Sequence, residues 1–277
     1  MKDLIIGAVT KYKYKDIKNW VNSINRSGFE GDVVVIASDI DQDVVNELKS
    51  NNVRVVMFDS QDNIVIERFS YYWDILSKIP REARYRFVIA TDVSDVVFQQ
   101  NPSKWLENNL TSKLIVASSE SIRYNDELWG KNNMMSSFGT RIFEEMKDKV
   151  INNAGVMAGH FDVMKDLFLN IYLSCGGSPR YVEGGGGPDQ AAYNILLSLA
   201  HYRNITLFAN SEDLWAAQLG TTKDPNKIGY YSQFLTEPSP IIDYTGNVCN
   251  SQGHPFFIVH QYNRVPEWKQ IIDKKYS

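Results

Sequence analysis

Asp92 and Asp95 stand three residues apart in Ile89-Ala-Thr-Asp92-Val-Ser-Asp95-Val-Val-Phe-Gln99, just beyond an apolar run. Carboxylate oxygens are the ligands that hard divalent cations take. On a turn at this spacing, both carboxylates can face one ion, or one can hold the ion while the other accepts a ribose hydroxyl. An ordinary Asp-rich turn or a helix cap is the plain alternative. Far along the chain, Phe256-Phe-Ile-Val runs into His260, where an imidazole is either a satisfied core group or a metal ligand at a strand end. Arg264, four residues on, offers paired donors that match phosphate oxygens, or a partner for a surface carboxylate.

Three further places carry polar groups of a reactive kind. Asp189 and Gln190 follow Gly184-Gly-Gly-Gly-Pro188, at what reads as a helix start. Capping alone would account for Asp189, and a carboxylate beside a glycine loop can also serve as general base or support a covalent or front-face route at a sugar carbon. Asn153 and Gly155 follow the apolar Val150-Ile151 and read as the end of a strand, where an amide can meet a sugar hydroxyl, or as a simple turn. His160 and Asp162 form a weaker acid–base pair, better explained as helix-start residues.

These positions need elements to hold them. Apolar runs alternate with amphipathic stretches over the first hundred residues, the pattern of a mostly parallel sheet covered by helices. Strands are expected at 4–9, 33–37, 53–58, 86–91 and 114–117, and helices at 16–25, 41–51 (capped by Asp41), 66–79 and 104–110. Asp92 then falls at the carboxyl end of a strand, where open α/β sheets bind ligands. Residues 120–138 are polar and rich in Asn, Met and Ser, and read as a long irregular excursion that receives substrate. Helical signal returns at 141–149, after Gly159, and at 189–200. Four consecutive glycines, 184–187, exclude a regular element there.

Read together, the Asp92–Asp95 segment, Asn153-Ala-Gly155, Gly187-Pro-Asp189-Gln190 and Val259-His-Gln-Tyr-Asn-Arg264 resemble, in order, the motifs of GT-A nucleotide-sugar glycosyltransferases. The layout is similar to that of family 8 enzymes and spans most of the chain. It departs from them in a DxxD spacing in place of DxD and in lacking an HxxGxxKPW-like tail. The resemblance implies an α/β fold of the GT-A, Rossmann-like type, one domain over 1–277, with a nucleotide-binding half (1–118) and an acceptor-binding and catalytic half (119–277). It implies Asp92 and Asp95 as the metal and ribose motif, His260 as a further ligand, and Mn²⁺ or Mg²⁺ as the ion. It also implies Asp189 as the catalytic carboxylate, with Gln190, Asn153 and Gly155 at the donor sugar and Arg264 at the diphosphate. Thr10 and Tyr12, after the first strand, would receive the base and ribose, and Arg68 would face the nucleotide. The activity implied is metal-dependent transfer of a sugar from a UDP-sugar to a saccharide or glycan acceptor.

Composition narrows the alternatives. A net charge of −4 disfavours a general grip on nucleic acid, which needs a cationic face. No run reaches the roughly 18 apolar residues of a spanning helix, and the N-terminus has no signal-like segment, so a cytoplasmic location is expected. Two cysteines, Cys175 and Cys249, suit neither a zinc site nor a disulfide framework and read as small buried residues. Two rival functions are open. A nucleotidylyltransferase acting on a sugar phosphate would favour a glycine-rich phosphate loop after the first strand, which Gly7-Ala-Val-Thr-Lys11 matches poorly. A non-catalytic carbohydrate-binding protein of the same fold would have little reason to keep Asp92, Asp95, Asp189 and His260 together.

Overall fold

The computed structural model describes residues 1–178 and 185–277. In chain order the first half runs β1 (Leu4–Thr10), α1 (Tyr14–Ser27), β2 (Asp32–Ser38), α2 (Gln42–Ser50), β3 (Val53–Met57), α3 (Ile64–Ser77), β4 (Phe87–Thr91), β5 (Val96–Phe98) and α4 (Pro102–Asn109). There follow β6 (Ile115–Arg123), α5 (Leu128–Met146), β7 (Val150–His160), α6 (Phe161–Ser174), α7 (Asp189–Ser198), α8 (Ala200–Ile205), β8 (Thr206–Ala209), β9 (Ala216–Gln218), α9 (Leu219–Thr222) and α10 (Ile228–Tyr231). The chain closes with β10 (Ile241–Ile242), β11 (Val248–Cys249), β12 (Ile258–His260) and α11 (Pro266–Tyr276).

Among the described residues the main sheet has seven strands in the order β3-β2-β1-β4-β7-β6-β8, and β7 alone runs against the rest. This is the mostly parallel, helix-covered α/β sheet that the apolar periodicity predicts. Strands buried on both faces are continuous apolar runs: Leu4, Ile6, Val34, Ile36 and Val88 pack under α3 and α6, while Ile5, Val9, Val35 and Ile89 pack under α1 and α4. Local chemistry sets several helix ends. Asn63 accepts a hydrogen bond from Val65 N–H at the start of α3, and Asn101 does the same for Ser103 ahead of Pro102 in α4, caps worth about 1 kcal/mol each. Gly28 ends α1 in the left-handed region, at φ 76°, which glycine adopts without steric cost.

The structure corrects four expectations. Asp41 occupies the cap position of α2, but its side chain makes no cap bond; its backbone carbonyl accepts from Val44 and Val45 instead. Residues 120–138 are not an irregular excursion. β6 continues to Arg123, and α5 begins at Leu128, with Glu127 accepting from Gly130 N–H and a break in helical geometry at Gly139 (φ 84°). Glu120, Ser121, Glu127 and Asn133 are buried within these elements while Arg123, Asn125, Asn132 and Ser136 face solvent, so polar composition alone misleads. Asn153 and Gly155 do not end a strand; they lie in the middle of the eleven-residue β7. Asn152 and Asn153 interrupt the apolar run, yet Asn194 and Glu120 satisfy them, and the strand continues. Asp189 is the first residue of α7, behind the cap position of Pro188, and its carboxylate is turned to another partner.

Other expectations hold. Both cysteines are buried, His160 is the cap residue of α6, and Asp162 pairs with Arg84. Of the glycine-rich stretches, 179–184 lie outside the described residues. No helix among the described residues is long and apolar enough to cross a membrane.

Candidate active site

The site is assembled by registers. A small sheet of order β5-β12-β9 stands beside the main one. β12 runs antiparallel to β5, pairing His260 with Val96, and parallel to β9, pairing His260 with Gln218. His260 is thereby set next to Asp95, which immediately precedes β5. On the other side, Thr91 at the end of β4 pairs with Val156, and Asp92 N–H donates to Gly155 O at 2.8 Å. Gln261 N–H donates to Asp95 O at 2.8 Å, closing the turn onto the segment after β12. Trp20 Nε1–H donates to Thr91 Oγ1 at 2.8 Å from beneath.

Around this turn, one oxygen each of Asp92 and Asp95 and one ring nitrogen of His260 lie within 4.8 Å of one another. His260 Nε2 is 3.4 Å from Asp92 Oδ2 and 3.6 Å from Asp95 Oδ1. His260 is 2% exposed, and Nε2 is buried with no hydrogen-bond partner. Nδ1 lies 2.7 Å from Gln218 Oε1, which can only accept from it. That bond places the proton on Nδ1 and leaves the Nε2 lone pair facing two carboxylates, the orientation that outer partners impose on metal-binding histidines. An unsatisfied buried nitrogen costs roughly 1–3 kcal/mol, and a divalent cation between the three groups would satisfy it. The donor set of two carboxylates and an imidazole suits such an ion.

The charges of these groups are set by one another. Burial alone would raise the Asp92 carboxyl, but the Arg68 guanidinium and His260 hold it well below the usual carboxylate range. Asp95 is pushed up by burial and by the charge of Asp92, against His260 and Arg264. Burial would lower His260, yet Asp95 and Asp92 lift it above its ordinary value.

Arg68, from α3, is spent between two acids. It bonds Asp92 through one terminal nitrogen and Asp189 Oδ2 through the other, the latter at 3.0 Å. Asp189 is 5% exposed, and burial pushes its carboxyl up to about 6 in spite of Arg68. Gly155 is obligatory in this crowd. A Cβ there would lie 2.4 Å from His260 Cε1 and 2.8 Å from Asp92 Oδ2.

A cleft of about 530 Å³ opens over these groups. Of the residues singled out in the sequence, Arg68, Asp92, Asn153, Gly155, Asp189, Gln190, His260 and Arg264 line it, while Asp95 lies outside its wall, 3.6 Å from His260 Nε2. Thr10 and Tyr12 are not in its wall. Tyr12 instead donates to Ser94 Oγ at 3.2 Å, bracing the Asp92–Asp95 turn, and Thr10 ends β1 opposite Ser38. Asn153 spends its amide internally, donating to Glu120 Oε1 at 2.6 Å and accepting from Gly155 N–H at 2.6 Å, and Gln190 accepts from Ala154 N–H at 3.2 Å.

Sequence reasoning missed Gln218, Glu120, Glu127, Trp129 and Lys227. Glu120 lies on β6, buried, with its carboxyl raised by burial and by Glu127. Only the alternation along β6 could have revealed it, and the bulge that shifts register on both sides of Ser119 obscures that alternation. Gln218 has no sequence signal at all, since it acts through a cross-strand neighbour 42 residues away.

No protein-family profile matches the chain, and no curated protein matches it in sequence. Solved structures do match in shape. Mouse xyloside xylosyltransferase 1 superposes with a TM-score of 0.57 at 14% identity, over 94% of this chain and 98% of that one. An active-site mutant of LgtC gives 0.55 at 12% identity, over 98% and 95%. The galactosyltransferase LgtC bound to donor and acceptor sugar analogues gives 0.52, also at 12% identity and over the same shares. The chain has the fold of these GT-A-type glycosyltransferases along nearly its full length.

Proposed function

We propose that this protein is a metal-dependent glycosyltransferase that moves a sugar from a UDP-sugar to a saccharide or glycan acceptor. The observation that carries the reading is the bare, buried Nε2 of His260 held against Asp92 and Asp95 in a cleft at the carboxyl end of the central strand. The fold shared with two sugar-transferring enzymes supports it. Asp92, Asp95 and His260 would hold Mn²⁺ or Mg²⁺, which when bound neutralises charge on a diphosphate leaving group.

The remaining residues bind and orient. Arg68 keeps Asp92 ionised and fixes Asp189, so that both carboxylates stand ready without rearrangement. Asp189 supplies the carboxylate nearest the reacting sugar carbon, Gln190 and Gly155 border the sugar, and Arg264 meets the phosphates. Tyr12 and Thr10, outside the wall of the cleft, would meet the base and ribose where the nucleotide extends past the Ser94 turn. Residues 1–118 contribute the nucleotide side and 119–277 the acceptor side, and a cytoplasmic location belongs to the same reading. The test is nucleotide release from a panel of UDP- and GDP-sugars with and without Mn²⁺. Cation-dependent UDP release supports the proposal. Pyrophosphate release from a nucleoside triphosphate, or stabilisation by ligand with no turnover, would replace it with another function.

A further inference from the structure

We propose that Lys227 is a second phosphate-binding residue of this cleft, supplying from the α9–α10 connection a positive charge for the diphosphate of the donor. The inference rests on the function proposed above and extends it to a residue outside every motif in the sequence.

Charge accounting points to it. Two carboxylates offset much of the charge of a divalent ion, so the ion alone does not balance a diphosphate that gains negative charge as the sugar departs. Other cations must meet it. Four basic side chains line the cleft: Arg68, Lys227, His260 and Arg264. Arg68 is engaged by Asp92 and Asp189, and His260 stands among the candidate metal ligands. Lys227 and Arg264 remain, each without an ion-pair partner among the described residues.

The backbone around Lys227 is fixed on both sides, which suits a preorganised ligand rather than a loose surface lysine. Gly220 N–H donates to Gln261 Oε1 at 3.0 Å, docking α9 on the segment that follows His260. A Cβ on Gly220 would lie 2.1 Å from that same oxygen, so the approach is as close as backbone allows. Lys227 N–H donates to Asp224 O at 2.9 Å, and Lys227 O accepts from Tyr230 and Tyr231 as α10 begins. Tyr231 donates to Glu127 Oε1 at 2.6 Å, pinning α10 to the start of α5 across the cleft wall. Held in this frame, Lys227 is half-buried and lines the cleft.

Calorimetric titration with UDP and with uridine, in Mn²⁺, tests the proposal on the wild type, Lys227→Gln and Lys227→Arg. A hydrogen bond to a charged group contributes about 1.5–3 kcal/mol, so K227Q is expected to weaken UDP about tenfold to a hundredfold. Uridine, which has no phosphate, should bind K227Q as it binds the wild type, and K227R should retain most of the affinity for UDP. UDP affinity unchanged in K227Q overturns the proposal, and so does an equal loss for uridine, which would mark a distorted cleft. A wild type that binds uridine but gains nothing from the diphosphate also overturns it, and one that binds neither ligand sinks the functional reading itself.

Discussion

His260 Nδ1 lies 2.7 Å from Gln218 Oε1, and this one bond decides which nitrogen of the imidazole faces the two aspartates. The pairing of β12 with β9 puts the two residues in register, so the tautomer is built into the sheet. Replacing Gln218 by Leu removes the acceptor and frees the ring to turn or to carry its proton on Nε2. Outer partners of this kind are worth about 10–100-fold in metal affinity. Q218L should therefore lose Mn²⁺ affinity in that range while melting within a few degrees of the wild type, as read by calorimetric titration and a thermal scan.

Gly155 is predicted to tolerate no side chain. Because a Cβ would sit 2.4 Å from His260 Cε1, Gly155→Ala must push the ring from the aspartates or bend β7, an overpacking cost of about 1–3 kcal/mol. Denaturant unfolding should show that loss, and Mn²⁺ titration should show weakened binding in the same variant.

Arg68 joins two acids, and removing it leaves both carboxylates without their cation. Breaking a buried pair by deleting one partner costs about 3–5 kcal/mol, so Arg68→Met is expected to be among the most destabilising single changes in the cleft. Arg68→Lys should recover little, because one ammonium does not reproduce two terminal nitrogens set in a fixed fork. Urea unfolding of both variants checks the order.

The Asp189 carboxyl gives a pH signature. Its value in the folded protein, about 6, stands above the ordinary 3.8. A carboxyl raised in this way contributes its full stability below the ordinary value, and that contribution is lost as pH rises through about 6. At about 1.4 kcal/mol for each unit, the metal-free wild type should lose on the order of 3 kcal/mol relative to Asp189→Asn between pH 3.5 and 7. Parallel stability curves for the two proteins would show that Asp189 is not the group responsible.

In turnover, Asp189→Ala should depress the rate constant far more than donor affinity. A variant that loses only affinity would reduce Asp189 to a support for Arg68.

Much of this arrangement was legible in the sequence because it follows from period and position. The alternation of apolar runs and amphipathic stretches predicts the parallel sheet, and the place of Asp92 at a strand end predicts where the cleft opens. His260 was visible because it terminates an apolar strand. What was not legible depends on partners distant in sequence. Asn153 and Gly155 read as the end of a strand, since Asn152 and Asn153 look costly to bury until Asn194 and Glu120 are known to satisfy them. The start of α5 reads as a loop because the sequence does not show that buried Asn133 finds a partner in the carbonyl of Gly187. Gln218 and Lys227 lie in no motif, and only the docking of β9 and α9 against β12 brings them to the site.

The most direct test is anomalous diffraction at the manganese edge from crystals soaked with MnCl₂ and UDP. The account predicts one strong peak in contact with Asp92, Asp95 and the Nε2 of His260, with the diphosphate on its open side. A peak elsewhere, or a well-ordered His260 turned onto another protein group with no ion beside it, would contradict the account at its root.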